Sequence, residues 1–281
     1  MIETGHASLL MTAATHLHEA ARRRLQRAVD AIAAETEKRL AKLFLSEGMT
    51  FVRLFARLRD RFPDDAVQET VLGEDEWVRL LLVAQSNLGR LKRAVIGGGI
   101  EGALLLGGQA LLNEMGLGLR FDLKNPRAVE YLSQHGAELV SHIDETTRDY
   151  IRTVITRGVD EGWSYDRMAQ AIIDRYQEFA VGQPQLHIDS RAHLIATTET
   201  AFAYEEGSAI VAHDLQDKGL LMEKSWLTVG DDRVSDECRA NEEEGWIPLD
   251  AVFSSGDENP PAHPACRCTT LYRRKGEEET T

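Results

Sequence analysis

The chain has 281 residues, 43% of them hydrophobic, 28% charged and 6% aromatic. Lys plus Arg number 32 against 46 Asp plus Glu, for a net charge of -14 and a pI near 5.1. This composition excludes a disordered chain, a collagen-like repeat and a disulfide scaffold. It also argues against generic binding to the phosphate backbone, which is held mainly by Lys and Arg.

The charge is unevenly placed. Residues 1–120 carry 16 basic and 15 acidic side chains, so the deficit lies beyond them. Five of the 7 prolines follow residue 183, and the 3 cysteines all lie from Cys238 onward. Both shifts mark a change of architecture near Gly182-Gln183-Pro184. The start, MIETGHASLL, lacks a basic segment followed by a continuous apolar run, so no leader is expected.

The elements follow in chain order. Leu10, Ala14, Leu17, Ala21, Leu25, Ala28 and Ile32 recur at spacings of three and four, which predicts one helical face. Pro63 is expected to stop a second helix, and Trp77, Leu81, Ala84, Leu88 and Leu91 predict a third. The apolar stretch Ala94–Leu119 is interrupted by Glu101 and Glu114, too closely spaced for a membrane span of ~20 residues. Its glycines therefore read as close helix packing or a hinge, and no membrane partner is expected.

Asn125-Pro126 is a helix-start signal, since Asn caps and Pro suits the first helical position. Leu139, Ile143, Thr147, Ile151 and Ile155 continue that helix, which Gly158 is expected to close. Ser164 can cap a helix carrying Met168, Ile172 and Tyr176. Asp189 or Ser190 can cap another through about Leu215, ended by Gly219. Glu223–Val229 alternates as a strand does, Asp231–Glu244 predicts a turn and short helix, and Cys268–Tyr272 a last strand. The predicted class is α+β: a mostly helical N-terminal two-thirds, then a small C-terminal α+β domain with a short sheet.

Three features bear on chemistry. Cys238, His263, Cys266 and Cys268 supply three thiols and one imidazole, a donor set that suits tetrahedral zinc. The spacing is not a standard zinc-finger spacing and contains no C-x-x-C pair; small buried thiols and a turn histidine account for the same residues. Three cysteines leave one over, which disfavours a disulfide.

Glu199 falls at helical spacing with Ile195 and Phe202, and so shares an apolar face. It can serve as a general base or as a buried ion pair fixing the helix on the sheet, with Arg191 or Arg233 as candidate partners. No nucleophile or oxyanion donor is identifiable beside it, which favours the ion pair. The turn residues Asp231, Asp232 and Arg233 join Glu199 as an expected structural polar centre. The runs Glu242-Glu243-Glu244 and Glu277-Glu278-Glu279 are read as solvated charge, and GGGIEG lacks the lysine of a phosphate loop.

The ordered set RAHLIATTET, KSWLTVGDDRVSDEC and FSSGDENPPAHPACRC resembles the C-terminal domain of the bacteriophage Mu F-like head morphogenesis (minor head protein) family. Ile195, Ala196, Thr198, Glu199 and Thr200 match its helix motif, with Thr197 where the family has Arg. Lys224, Trp226, Asp231, Arg233, Val234, Cys238, Phe253, Gly256, His263, Cys266, Arg267 and Cys268 also fit. Many members carry a Cys-Pro-x-Cys pair where this chain has Ser235 and Cys238.

The resemblance divides the chain into a helical N-terminal region (1–120), a helical region leading into the C-terminal domain (121–185), the Mu F-like domain (186–275) and an acidic tail (276–281) expected to be disordered. Related domains also occur in larger toxin proteins, but too few residues follow 275 here for an appended toxin. The implied role is a minor head protein of a phage or prophage, without enzymatic activity. It would associate with portal and with capsid or scaffolding proteins, in the virion or procapsid and in the host cytoplasm during assembly. Two alternatives stand beside it. One is a metal-dependent hydrolase or nuclease using Glu199, Asp232 and the His263, Cys266 and Cys268 cluster. The other is a DNA-packaging or ejection factor, for which the acidic C-terminal half is a poor surface.

Overall fold

A computed structural model describes residues 3–61, 74–181, 190–264 and 266–276. The fold is 67% helical, with a small three-stranded antiparallel sheet near the C-terminus. Five long helices come first: α1 (Glu3–Arg61), α2 (Glu74–Glu114), α3 (Pro126–Asp160), α4 (Tyr165–Val181) and α5 (Arg191–Asp217). Then come β1 (Met222–Leu227), α6 (Asp236–Glu243), β2 (Ile247–Pro248) and β3 (Thr269–Arg274). The sheet order is β2-β1-β3, with Trp226 opposite Thr270 and Lys224 opposite both Ile247 and Tyr272.

Local signals set most helix ends. The Asn125 side chain accepts the Arg127 amide at the start of α3, Ser164 accepts that of Arg167, and Ser190 that of His193. Gly219, at φ +93°, stops α5 in a conformation that side chains resist. Pro63, Asp189 and Glu277–Glu279 lie outside the described residues, as does most of the acidic tail.

Several expectations are corrected. The residues before Pro63 form one helix rather than two. Its buried face is Val29, Ala33, Thr36, Leu40 and Phe44, while Leu25, Ala28 and Ile32 are only half-buried. Leu91, assigned to an apolar stripe, is exposed. Gly158 lies inside α3 instead of ending it, because a Cβ there would sit 2.6 Å from the Met168 sulfur. The chain leaves that helix at Gly162, which takes φ +66°.

The chain forms two compact units. One comprises residues 34–99 and 130–196 and is helical in all its described elements. Its core holds Leu40, Phe44, Phe51 and Phe55 of α1 with Ile151 of α3 and Met168, Ile172 and Tyr176 of α4. The rings of Phe44, Tyr150 and Tyr176 stand around Phe179 at centroid distances of 5.5 to 6.4 Å. Within this core Lys92 and Glu47 are wholly buried and paired, Nζ to Oε2 at 2.9 Å.

The other unit comprises residues 1–33, 100–129 and 197–281. Here α2 and α5 meet backbone to backbone. A Cβ on Gly107 would lie 1.8 Å from the Tyr204 carbonyl oxygen, and one on Gly207 would lie 2.1 Å from that of Leu104. Only glycine permits this approach. The apolar stretch Leu88–Glu114 is long and apolar enough to cross a membrane, yet 61% of its most apolar window is buried inside the protein. Leu111 and Leu112 of this stretch pack with Ala209, Ala212 and Leu215 of α5, Met222 of β1, Leu249 and Tyr272 of β3. The Arg127 guanidinium bonds Asp217 at 2.9 Å and also pairs with Asp214, tying the start of α3 to the end of α5.

Candidate functional site

The second core of this unit lies against β1 and is small. Trp226, Val234, Cys238, Phe253, Cys266 and Cys268 form it, with Ile247 and Ala262 at its margin. Trp226 and Phe253 meet edge to face at 5.1 Å, so one ring edge points at the other ring face. Cys238 enters from α6. The Ser235 hydroxyl accepts its amide and caps the helix. His263 and Cys266 come from one turn, closed by the Cys266 amide donating to the His263 carbonyl at 3.1 Å.

These elements bring three of the four predicted ligands into one group. The donor atoms of Cys238, His263 and Cys266 all lie within 4.8 Å of one another. The Cys238 and Cys266 sulfurs are 3.7 Å apart, and His263 Nε2 is 3.8 Å from the Cys238 sulfur. The fourth thiol, Cys268, interacts with both Cys238 and Cys266 from the edge of β3. His263 Nδ1 lies 3.0 Å from the Pro264 carbonyl oxygen. A carbonyl only accepts, so Nδ1 donates to it, and Nε2 is the ring nitrogen that faces the Cys238 sulfur.

The thiols differ in acidity for local reasons. The neighbouring Cys268 thiol and the amides of Cys268 and Ala262 favour the charged form of Cys266 and hold it down to about 5. The same interaction, with burial, pushes Cys268 well up. Burial raises Cys238. The cysteines carry no disulfide. The group can therefore offer a deprotonated sulfur, the form in which Cys binds metal.

Of the other predicted residues, Asp231 and Arg233 meet on one turn. Glu199 is buried on α5, at 8% exposure, beside buried Ala196, Thr200 and Ala203, whereas Phe202 is exposed. Asp231 accepts from Arg267, which holds its carboxyl below the usual range, and it also caps the turn by accepting the Arg233 amide. Asp232 and Arg233 are exposed on that turn. Neither Glu199 nor Asp232 belongs to the group formed by Cys238, His263 and Cys266.

Sequence reasoning passed over two acids and an amide. Glu205, six residues beyond Glu199, is the carboxylate that α5 delivers to the sheet. It accepts from the Thr269 hydroxyl at 2.5 Å and from the Thr270 amide at 2.9 Å, and burial raises it to about 7. Glu242, read as solvated charge, accepts the amide and hydroxyl of Thr228 just after β1. Asn241 is fully buried and binds the 254–255 loop through Ser254 and Ser255. The signal for Glu205 is its place on the Ala209, Ala212 face of α5, opposite Ala196, Thr200 and Ala203; no local motif marks the other two.

The pattern of helix, strand, turn cysteine and the compact His263-x-x-Cys-x-Cys run now has a family counterpart. Residues 149–271 match the family described as Phage Mu protein F like protein. No curated protein and no solved structure matches the chain. Residues 149–271, under half of the chain, are therefore similar to the family of Phage Mu protein F-like proteins.

Proposed function

We propose that the protein is a minor head protein of a phage or prophage that acts in head morphogenesis by binding portal protein and capsid or scaffolding proteins. The observation that carries this reading is the family match over residues 149–271. The physical character of that region agrees with a scaffold for protein contacts. Within it Glu205 holds β3, Glu242 holds the end of β1 and Asn241 holds the 254–255 loop. The acidic balance beyond residue 120 makes a protein partner the better match than DNA. The proposed location is the procapsid or virion, reached from the host cytoplasm.

The test is co-purification from an assembling phage system with a tagged full-length chain. The expected result is co-sedimentation with procapsids and recovery of portal protein in the tagged fraction. Absence from procapsids and virions, together with no binding to purified portal protein, would overturn the reading. Retention on DNA that falls steeply with salt, without portal binding, would replace it with the packaging alternative.

A further inference from the structure

The cysteine and histidine cluster invites a reading independent of the head-assembly role. Ligands at ~2.3 Å from a tetrahedral zinc ion stand ~3.8 Å apart, the edge length of that tetrahedron. The Cys238 to Cys266 and Cys238 to His263 separations are 3.7 and 3.8 Å, already at that spacing. Among the described residues no acid joins the group of Cys238, His263 and Cys266, whose donors are the soft and borderline kind that select zinc over magnesium or calcium.

The surroundings complete the match. A metal-binding imidazole usually donates its other N–H to a carbonyl or carboxylate, which fixes the ring. Here Pro264 receives Nδ1 and leaves Nε2 directed to the sulfurs. The indole N–H of Trp226 is buried without a hydrogen bond of ordinary geometry. It acts on the Cys268 sulfur, and a metal-bound thiolate there would supply the charged acceptor it lacks.

We propose that Cys238, His263 Nε2, Cys266 and Cys268 bind one zinc ion in a closed tetrahedral site that clasps α6, the 263–266 turn and the start of β3 together. All four positions are filled by protein, so the ion is structural and has no place for a substrate or activated water. The module is small, and its core around Trp226 and Phe253 contains few other large side chains, so an ion there would add a cross-link between segments 30 positions apart in sequence, from Cys238 to Cys268.

The test uses the full chain, purified under reducing conditions without chelator or metal-affinity resin. Elemental analysis is expected to find one zinc per chain that survives dialysis. The metal-stripped chain, titrated with Co(II) alone, is expected to develop the visible bands of a tetrahedral thiolate site and to return them to silence on adding Zn(II). Cys266→Ser and His263→Ala should each lose the stoichiometric metal. A variant that fails to fold does not decide the matter, because the wild-type Co(II) titration reads the site directly. A folded wild-type chain that takes up neither Zn(II) nor Co(II) overturns the site. Stoichiometric zinc retained by a folded Cys266→Ser chain, or octahedral Co(II) bands, overturns the ligand assignment.

Discussion

In the helical unit, Phe44, Phe51, Phe55, Tyr176 and Phe179 crowd into one aromatic core, and among the described residues the wholly buried polar side chains include one ion pair, Lys92 with Glu47. In the C-terminal module the large buried rings are Trp226, Phe253 and Tyr272, and polar groups hold the rest: Glu205 on β3, Asn241 on the 254–255 loop, Lys224 donating to the Glu258 carbonyl. Long helices satisfy their own backbones, so side chains are free to pack by shape. Short strands joined by loops leave many amides and carbonyls over, and buried ones must find partners. The same requirement to satisfy polar groups therefore yields one costly pair in the first region and a distributed set of clamps in the second.

This contrast can be broken by substitution. The largest expected effect is at Lys92. Lys92→Ala strips Glu47 of its buried counter-charge, and urea unfolding should show a loss of about 3–5 kcal/mol, while replacing both residues by apolar ones should recover most of it. A small loss in the single variant would mean that water reaches the pair, and the two regions would then differ less than described.

The next effect is a pH dependence in the C-terminal module. Burial raises Glu205 from 4.5 to about 7, so the folded chain holds this proton where the unfolded chain has released it. Stability from this group is full below pH ~4.5, declines as pH rises and is lost above pH ~7, a change of about 3 kcal/mol. Thermal unfolding from pH 4.5 to 8 should show this component in the wild type and not in Glu205→Gln. An identical slope in both chains would remove Glu205 as its source.

The smallest is at Asn241. Asn241→Ala leaves Ser254, Ser255 and the Ser255 amide without their buried partner and should cost about 1–3 kcal/mol. Faster amide exchange confined to the 254–255 loop would locate the effect; a global change in exchange would show that the loop and the sheet unfold as one.

The readability of the sequence follows the same division. Helix starts at Asn125, Ser164 and Ser190, and the stop at Gly219, are written in single residues whose chemistry acts within three or four positions. The strand around Trp226 shows through its alternation, and Cys238, His263 and Cys266 were singled out by residue type before any contact was known. What escaped depends on distant partners. Glu199 and Glu205 each occur in an apolar helical context, and only the position of β3 makes Glu205 the one that reaches Thr269 and Thr270. Gly158 looks like a stop until Met168 packs on it, and the glutamate run at 242–244 looks solvated until Thr228 and Ser254 arrive.

The glycine crossing has a practical corollary for anyone wishing to move the family segment elsewhere. Gly207 lies inside residues 149–271, but its counterpart Gly107 and the companions Leu111 and Leu112 lie upstream of them. A transplant cut at the family borders would carry Met222 and Leu249 without Leu111 and Leu112, and would sever β3 just before Tyr272. The portable unit is thus discontinuous in sequence. A graft that keeps its shape has to bring residues 100–129 along, or supply a host helix with a glycine where α5 presses closest.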